Sequence, residues 1–175
     1  VRGGGYILYP NLTLAQTTST YITPSTDGFT ISTGNNNILN HNYIAWCWKA
    51  GDHDDNLPQI NTEGTIDSVV SVNDAAGFSI VKYTGEGAAR TVGHGLSSTP
   101  EMVIIKNLDD ARNWTVYHTG LSSSSYISLN SSAAETTDTR TDGGQPRPFG
   151  PFNSTTFGVN IDNETGHTNN YIAYC

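Results

Sequence analysis

Pro100-Glu101-Met102-Val103-Ile104-Ile105-Lys106-Asn107 is a short apolar run opened by a proline and closed by polar residues. Met102–Lys106 is apolar on both faces, the pattern of a strand at the centre of a sheet. Phe78-Ser79-Ile80-Val81-Lys82-Tyr83, set between Gly77 and Gly85, is rich in β-branched and aromatic types and reads as a second strand. Outward from these two, Ile66–Val72, Trp114–His118, Tyr126–Leu129, Phe157–Ile161 and Tyr171–Cys175 complete a set. Tyr6–Tyr9, Phe29–Ser32 and Tyr43–Trp48 precede it. Short strands about 8–20 residues apart, separated by Gly, Asn, Ser and Asp turns, predict an all-β fold: an antiparallel β-sandwich of jelly-roll-like type. No window of ten residues sustains a helical period, and only 133–139 has room for a single turn.

One phrase is written twice, as Asn42-Tyr43-Ile44-Ala45-Trp46-Cys47 and Asn170-Tyr171-Ile172-Ala173-Tyr174-Cys175, 128 residues apart. At that offset Gly28–Cys47 aligns with Thr156–Cys175 without a gap, and seven of the twenty positions are identical. Chance would give roughly one or two, so the chain reads as part of a tandem repeat. Tyr6-Ile7 matches Tyr126-Ile127 at an offset shorter by eight residues, which places an insertion in the second copy. Asp138–Phe152, with Gly143-Gly144 and Pro146, Pro148 and Pro151, is the natural place for it and reads as a surface loop. Surface loops are where a scaffold varies its binding, and a neutral change of length is the competing account. The polar and acidic stretch after Trp48 marks a seam. Residues 1–51 are expected to be the C-terminal half of one module, and 52–175 most of the next.

Eight Lys and Arg against sixteen Asp and Glu give a formal net charge of −8. Neutralising a phosphate backbone takes clustered basic residues, and here they are scattered, so nucleic acid is not an expected partner. No apolar run approaches the eighteen or more residues of a membrane span, and no membrane insertion is expected. The N-terminus lacks an initiator Met and a signal-peptide pattern, so the chain reads as a fragment. Only 14% of residues are charged, leaving a surface wetted by hydroxyls and amides. Two cysteines would normally suggest a disulfide, but Cys47 and Cys175 hold equivalent places in two copies. Each is expected to be a small buried hydrophobe in its own strand.

No residue pattern makes a strong case for catalysis. Asp52, Asp54, Asn56 and Glu63 have the spacing of a helix–loop–helix calcium loop. Leu57 stands where that loop needs glycine, Pro58 follows, and no helix flanks it, so no metal site is assigned. Asp52, Asp54 and Asp55 remain weak calcium candidates, a solvated linker being the alternative. His94, between Gly93 and Gly95, reads as a turn histidine bonded to backbone rather than a catalytic base. Ser122–Ser125 offers hydroxyls without a Gly-x-Ser-x-Gly elbow. Gly85-Glu86-Gly87 lacks the helix and Lys-Ser/Thr pair of a phosphate cradle. The carboxylates are too many for any one pair to signal glycoside hydrolysis. Trp46, Trp48, Trp114 and Tyr117 are candidates for stacking on sugar rings, with Trp46 and Trp48 on one face of a strand; burial in the core is their competing role. No cofactor is expected.

The ordered series Gly77–Gly85, Val92-Gly93-His94-Gly95-Leu96, Pro100–Asn107 and Asn113–His118, continued by Tyr126–Asn130 and Asn170–Cys175, resembles a repeat family of tailed-phage virion proteins, common in marine phage tail fibres. The match covers roughly residues 65–175, and Phe29 with Tyr43–Gly51 is similar to the end of a preceding module. The resemblance implies a non-enzymatic tail-fibre, appendage or decoration module at the virion surface. It implies assembly with copies of itself or other virion proteins, often as trimers, and loops presented for host attachment. A carbohydrate-binding module recognising host-surface glycan is the alternative. The family brings no catalytic residues.

Overall fold

The computed structural model describes residues 5–25, 27–32, 37–51 and 59–175. They fall into two compact units. The smaller comprises the described parts of Arg2–Leu8 and Gln16–Trp48. It holds two antiparallel pairs, β1 (Tyr6–Ile7) with β2 (Thr17–Thr18) and β3 (Ile22–Ser25) with β4 (Gly28–Ile31). The larger comprises Tyr9–Ala15 and Lys49–Cys175.

In the larger unit the expected central run is a central strand. An eight-stranded antiparallel sheet is built from β5 (Gln59–Asn61), β6 (Ser68–Asn73), β7 (Phe78–Thr84), β9 (Met102–Asn107), β10 (Trp114–His118), β11 (Ser125–Ser128), β12 (Thr136–Thr137) and β17 (Asn170–Tyr174). Its order is β12-β11-β10-β9-β17-β7-β6-β5, so the last strand of the chain sits between β7 and β9. A smaller antiparallel sheet of β15 (Phe149–Phe152), β16 (Thr156–Val159) and β8 (Arg90–Gly93) supplies the second layer. The hairpin of β13 (Thr141–Asp142) and β14 (Gln145–Pro146) forms a two-stranded pair of its own.

The two layers share one core. Val81, Tyr83, Val103, Ile105, Tyr171 and Ala173 of the large sheet pack with Val92, Phe149, Phe157 and Val159 of the small one. Tyr83 stacks on Tyr171 with ring centroids 5.2 Å apart and meets Phe157 edge-on at 5.9 Å. Each buried phenol donates to a backbone carbonyl, Tyr83 to Thr165 at 2.5 Å and Tyr171 to Asn163 at 3.1 Å. A buried hydroxyl needs such a partner to avoid a desolvation loss. Gly158 and Gly150 face each other across β15 and β16, and a Cβ on Gly158 would come within 2.5 Å of the Gly150 Cα. This approach requires glycine at 158, whereas a Cβ on Gly150 would sit tightly, 3.1 Å from the Gly158 Cα.

Trp114, Val116, Lys106 and Ile172 point to the opposite face of the large sheet and are also buried. Tyr9–Ala15 crosses to this face. The Tyr9 carbonyl accepts from the Trp114 indole N–H at 3.0 Å, and Thr13 O accepts from Lys106 Nζ at 3.1 Å. Lys106 Nζ also donates to Arg112 O at 2.9 Å and Asp110 O at 3.5 Å, so three ammonium hydrogens meet three carbonyls. Burial lowers the Lys106 pKa to about 8, against the opposing charge of Asp110. On the same face Tyr174 stacks on Trp114 at 6.4 Å.

Four expectations are corrected here. Tyr43–Trp48 is not a strand: residues 41–50 carry no regular secondary structure. Cys47 is therefore exposed, whereas Cys175 is buried and its thiol pKa is pushed up to about 12; neither is in a disulfide. The stretch 133–139 holds no helical turn and instead contributes β12, paired with β11. The 138–152 insertion is only partly a surface loop, because its end is strand β15 and Phe149 is buried in the core.

His94 is the turn histidine expected. Its Nδ1 accepts from the Leu96 N–H at 3.1 Å, which leaves the proton on Nε2, 3.2 Å from the Asn153 carbonyl. Burial lowers its pKa, opposed by the Asn153 bond. With the folded value below the unfolded one, the unfolded chain takes up the proton first. Stability therefore falls as pH drops below about 6.5, by at most about 1.4 kcal/mol per pH unit, until the folded-state pKa is passed. Urea unfolding at pH 7 and pH 5 measures this, and His94→Leu should flatten that limb of the profile. An unchanged slope in the variant would remove His94 as its source.

Candidate functional site

The insertion hairpin and the β10–β11 turn enclose a cleft of about 420 Å3 in the larger unit. Its aromatic side comes from alternation and register. Tyr117 on β10 stacks on Phe152 of β15 with centroids 3.8 Å apart and planes at 14°, and Phe149 lies 5.9 Å from Tyr117. Its polar side is the Ser122–Ser125 turn, anchored at both ends. Ser122 Oγ donates to Glu135 Oε1 at 2.6 Å and Ser122 N to Oε2 at 3.1 Å. These two bonds lower the Glu135 pKa. Ser125 Oγ pairs with Thr137 Oγ1 at 2.9 Å. Between the anchors, Ser124 adopts a left-handed φ of 59°, sparsely populated for a residue with a Cβ.

The opposite wall, Pro146–Gly150, is held from behind by the β16–β17 connection. Asn160 Nδ2 donates to Gln145 O at 3.1 Å and Pro146 O at 2.9 Å, and Thr165 Oγ1 donates to Pro148 O at 2.7 Å. Near this wall Arg140 pairs with Asp138 at 2.6 Å, and Arg147 lies 3.6 Å from Asp162. The Arg140 hydrogen bond holds the Asp138 carboxyl below its ordinary pKa, whereas burial raises that of Asp162 against the pull of Arg147 and Arg140.

The four sequence candidates are divided between the two units. Tyr117 lines the cleft. Trp114, three residues earlier on β10, lies on the other face, buried under the Tyr9–Ala15 segment. Trp46 and Trp48 belong to the smaller unit, both exposed, with ring planes inclined at 52° and centroids 6.0 Å apart. Asp52, Asp54 and Asp55 lie outside the described residues. Among the described residues no three His, Cys, Asp or Glu side chains come together as metal ligands. Sequence reading missed Phe149, Phe152 and His118 as cleft residues. The proline-rich insertion was the available signal, but its pairing with β16 depends on a bulged register between Phe149 and Phe152 that composition does not reveal.

These features define an all-β, sandwich-like protein of antiparallel sheets with a loop-built cleft. The chain belongs to a family described as a domain of unknown function (DUF7483), which matches residues 1–175. No curated protein and no solved structure matches it.

Proposed function

We propose that this chain is a non-enzymatic structural module of a tailed-phage virion, a tail-fibre, appendage or decoration element that assembles with other copies and presents loops for host attachment. In this reading it is part of a tandem array of jelly-roll-like modules, with the seam near Gly51, and it lies at the particle surface.

One observation carries the assembly part. The same Asn-Tyr-Ile-Ala-aromatic-Cys phrase is the fifth of eight strands as β17 and irregular, exposed chain in the smaller unit. Ile44 is 86% exposed, Trp46 74% and Trp48 67%. A segment with this composition exposed as coil has an apolar surface suited to burial against another chain, by strand addition or by side-chain packing. Sedimentation equilibrium on the wild type and on a double variant, Ile44→Asp with Trp46→Ser, tests it. The expected result is self-association of the wild type and at least about a tenfold weaker association of the variant, about 1.4 kcal/mol. A wild type that stays monomeric at high concentration sinks self-assembly. Recovery of the chain by mass spectrometry from purified phage particles tests the virion placement.

A carbohydrate-binding role is the second reading, and the cleft favours it more than Trp46 and Trp48 do. A flat platform needs coplanar rings, which their inclination does not provide.

A further inference from the structure

We propose that the cleft between the Ser122–Ser125 turn and the Pro146–Gly150 wall is a binding site for a neutral saccharide, one or two pyranose rings in size. The inference goes beyond the assembly reading and stands on the cleft alone, whether or not the chain self-associates.

Size is the first support. A volume of about 420 Å3 falls in the lower part of the range for small-molecule sites, about 300–1,000 Å3. The chemistry of the two sides is the second. Tyr117 and Phe152 are only partly buried, stacked as one slab and backed by Phe149. The C–H face of a pyranose packs on such a slab through dispersion and lost hydration. In the Ser122–Ser125 turn, Ser122 and Ser125 are committed to Glu135 and Thr137, whereas Ser123 and Ser124 spend no side-chain hydrogen bond within the described residues. A hydroxyl both donates and accepts, which suits the hydroxyls of a sugar. His118 also lines the cleft, and with its Nδ1 accepting from the Gly120 N–H at 2.9 Å its neutral ring carries the proton on Nε2.

The charges beside the cleft balance, which suits a neutral ligand. Arg147 lies 3.6 Å from Asp162, with its buried Nε unpartnered, and Arg140 is paired with Asp138 at 2.6 Å, so two cations face two carboxylates. Ser124 supplies the third support. Its left-handed backbone would favour glycine, and its hydroxyl-bearing side chain stands among the cleft-lining residues.

The test is saturation-transfer NMR and calorimetry on the full chain. The probes are methyl glucoside, methyl galactoside, methyl mannoside, N-acetylglucosamine and, as the charged control, glucuronate. At least one neutral probe should bind with a Kd of about 1 mM or tighter. Ser124→Gly should weaken it at least about fivefold without lowering the melting temperature, because glycine fits that backbone. Ser123→Trp, which fills the cleft, should abolish it. Binding by glucuronate alone would overturn the neutral class. No binding by any probe, or binding indifferent to both substitutions, would overturn the site. The assembly reading fails separately, by sedimentation.

Discussion

Replacing Ile172 by alanine is expected to cost about 2–5 kcal/mol of stability, while the same substitution at Ile44 changes it by no more than about 0.5 kcal/mol. The two isoleucines occupy the same place in the repeated phrase, so composition and neighbours predict equal effects. Their surroundings differ. Ile172 is 2% exposed and sits opposite Lys82 on one side and Lys106 on the other, within a sheet that continues in both directions. Removing its side chain deletes buried methylenes and leaves a cavity that packed neighbours cannot fully close. Ile44 is 86% exposed, and truncating it takes away surface already in contact with water. Denaturant titration of both variants at low protein concentration, where association is suppressed, provides the comparison. Equal losses would mean that the two copies share one environment, and the contrast that carries the assembly proposal would collapse. Phe157 and Phe29 offer a second matched pair, the first fully buried and the second exposed.

Lys106→Ala is expected to lower stability by about 2–4 kcal/mol and to release the Tyr9–Ala15 segment. Two effects act together. The aliphatic stem loses its packing, and the carbonyls of Thr13, Asp110 and Arg112 lose a shared charged donor. Relief from burying an ammonium acts in the opposite direction, as its lowered pKa indicates, so the bond energies do not simply add. Lys106→Met separates the contributions by keeping a stem of similar length and removing the charge; about half the loss should remain. Hydrogen exchange should show faster exchange in residues 9–15 in both variants, because Thr13 O loses its partner while the Tyr9–Trp114 bond persists. A neutral or stabilising Lys106→Met with unchanged exchange would show that the ammonium gives no net anchoring.

Much of the larger unit was legible in the sequence. Phe78–Thr84, Met102–Asn107 and Trp114–His118 lie within a residue of their expected bounds because each is a compact apolar run flanked by turn residues. His94 was legible too, since a histidine between glycines has backbone groups within reach of both ring nitrogens. Arg90–Gly93 and Phe149–Phe152 were not legible as strands. The first is short and half polar, the second contains glycine and proline, and both exist because β16 lies between them and pairs with each. The cleft escaped for the same reason. Tyr117 was visible as an aromatic in a strand, but Phe152 and Phe149 reach it only through the fold of the insertion.

The repeated phrase marks the division most sharply. Sequence alone determined that the chain is all-β, where its strong strands lie, and that Gly28–Cys47 and Thr156–Cys175 share seven of twenty positions. Those are properties of local pattern: apolar runs of strand length, turn residues between them, and identity at a constant offset. Only the tertiary structure decided that one copy is a buried central strand and the other exposed chain. A strand acquires its ladder and its burial from its neighbours. Asn170–Tyr174 has β7 and β9 on either side, and Asn42–Cys47 has no counterpart of that sheet among the described residues.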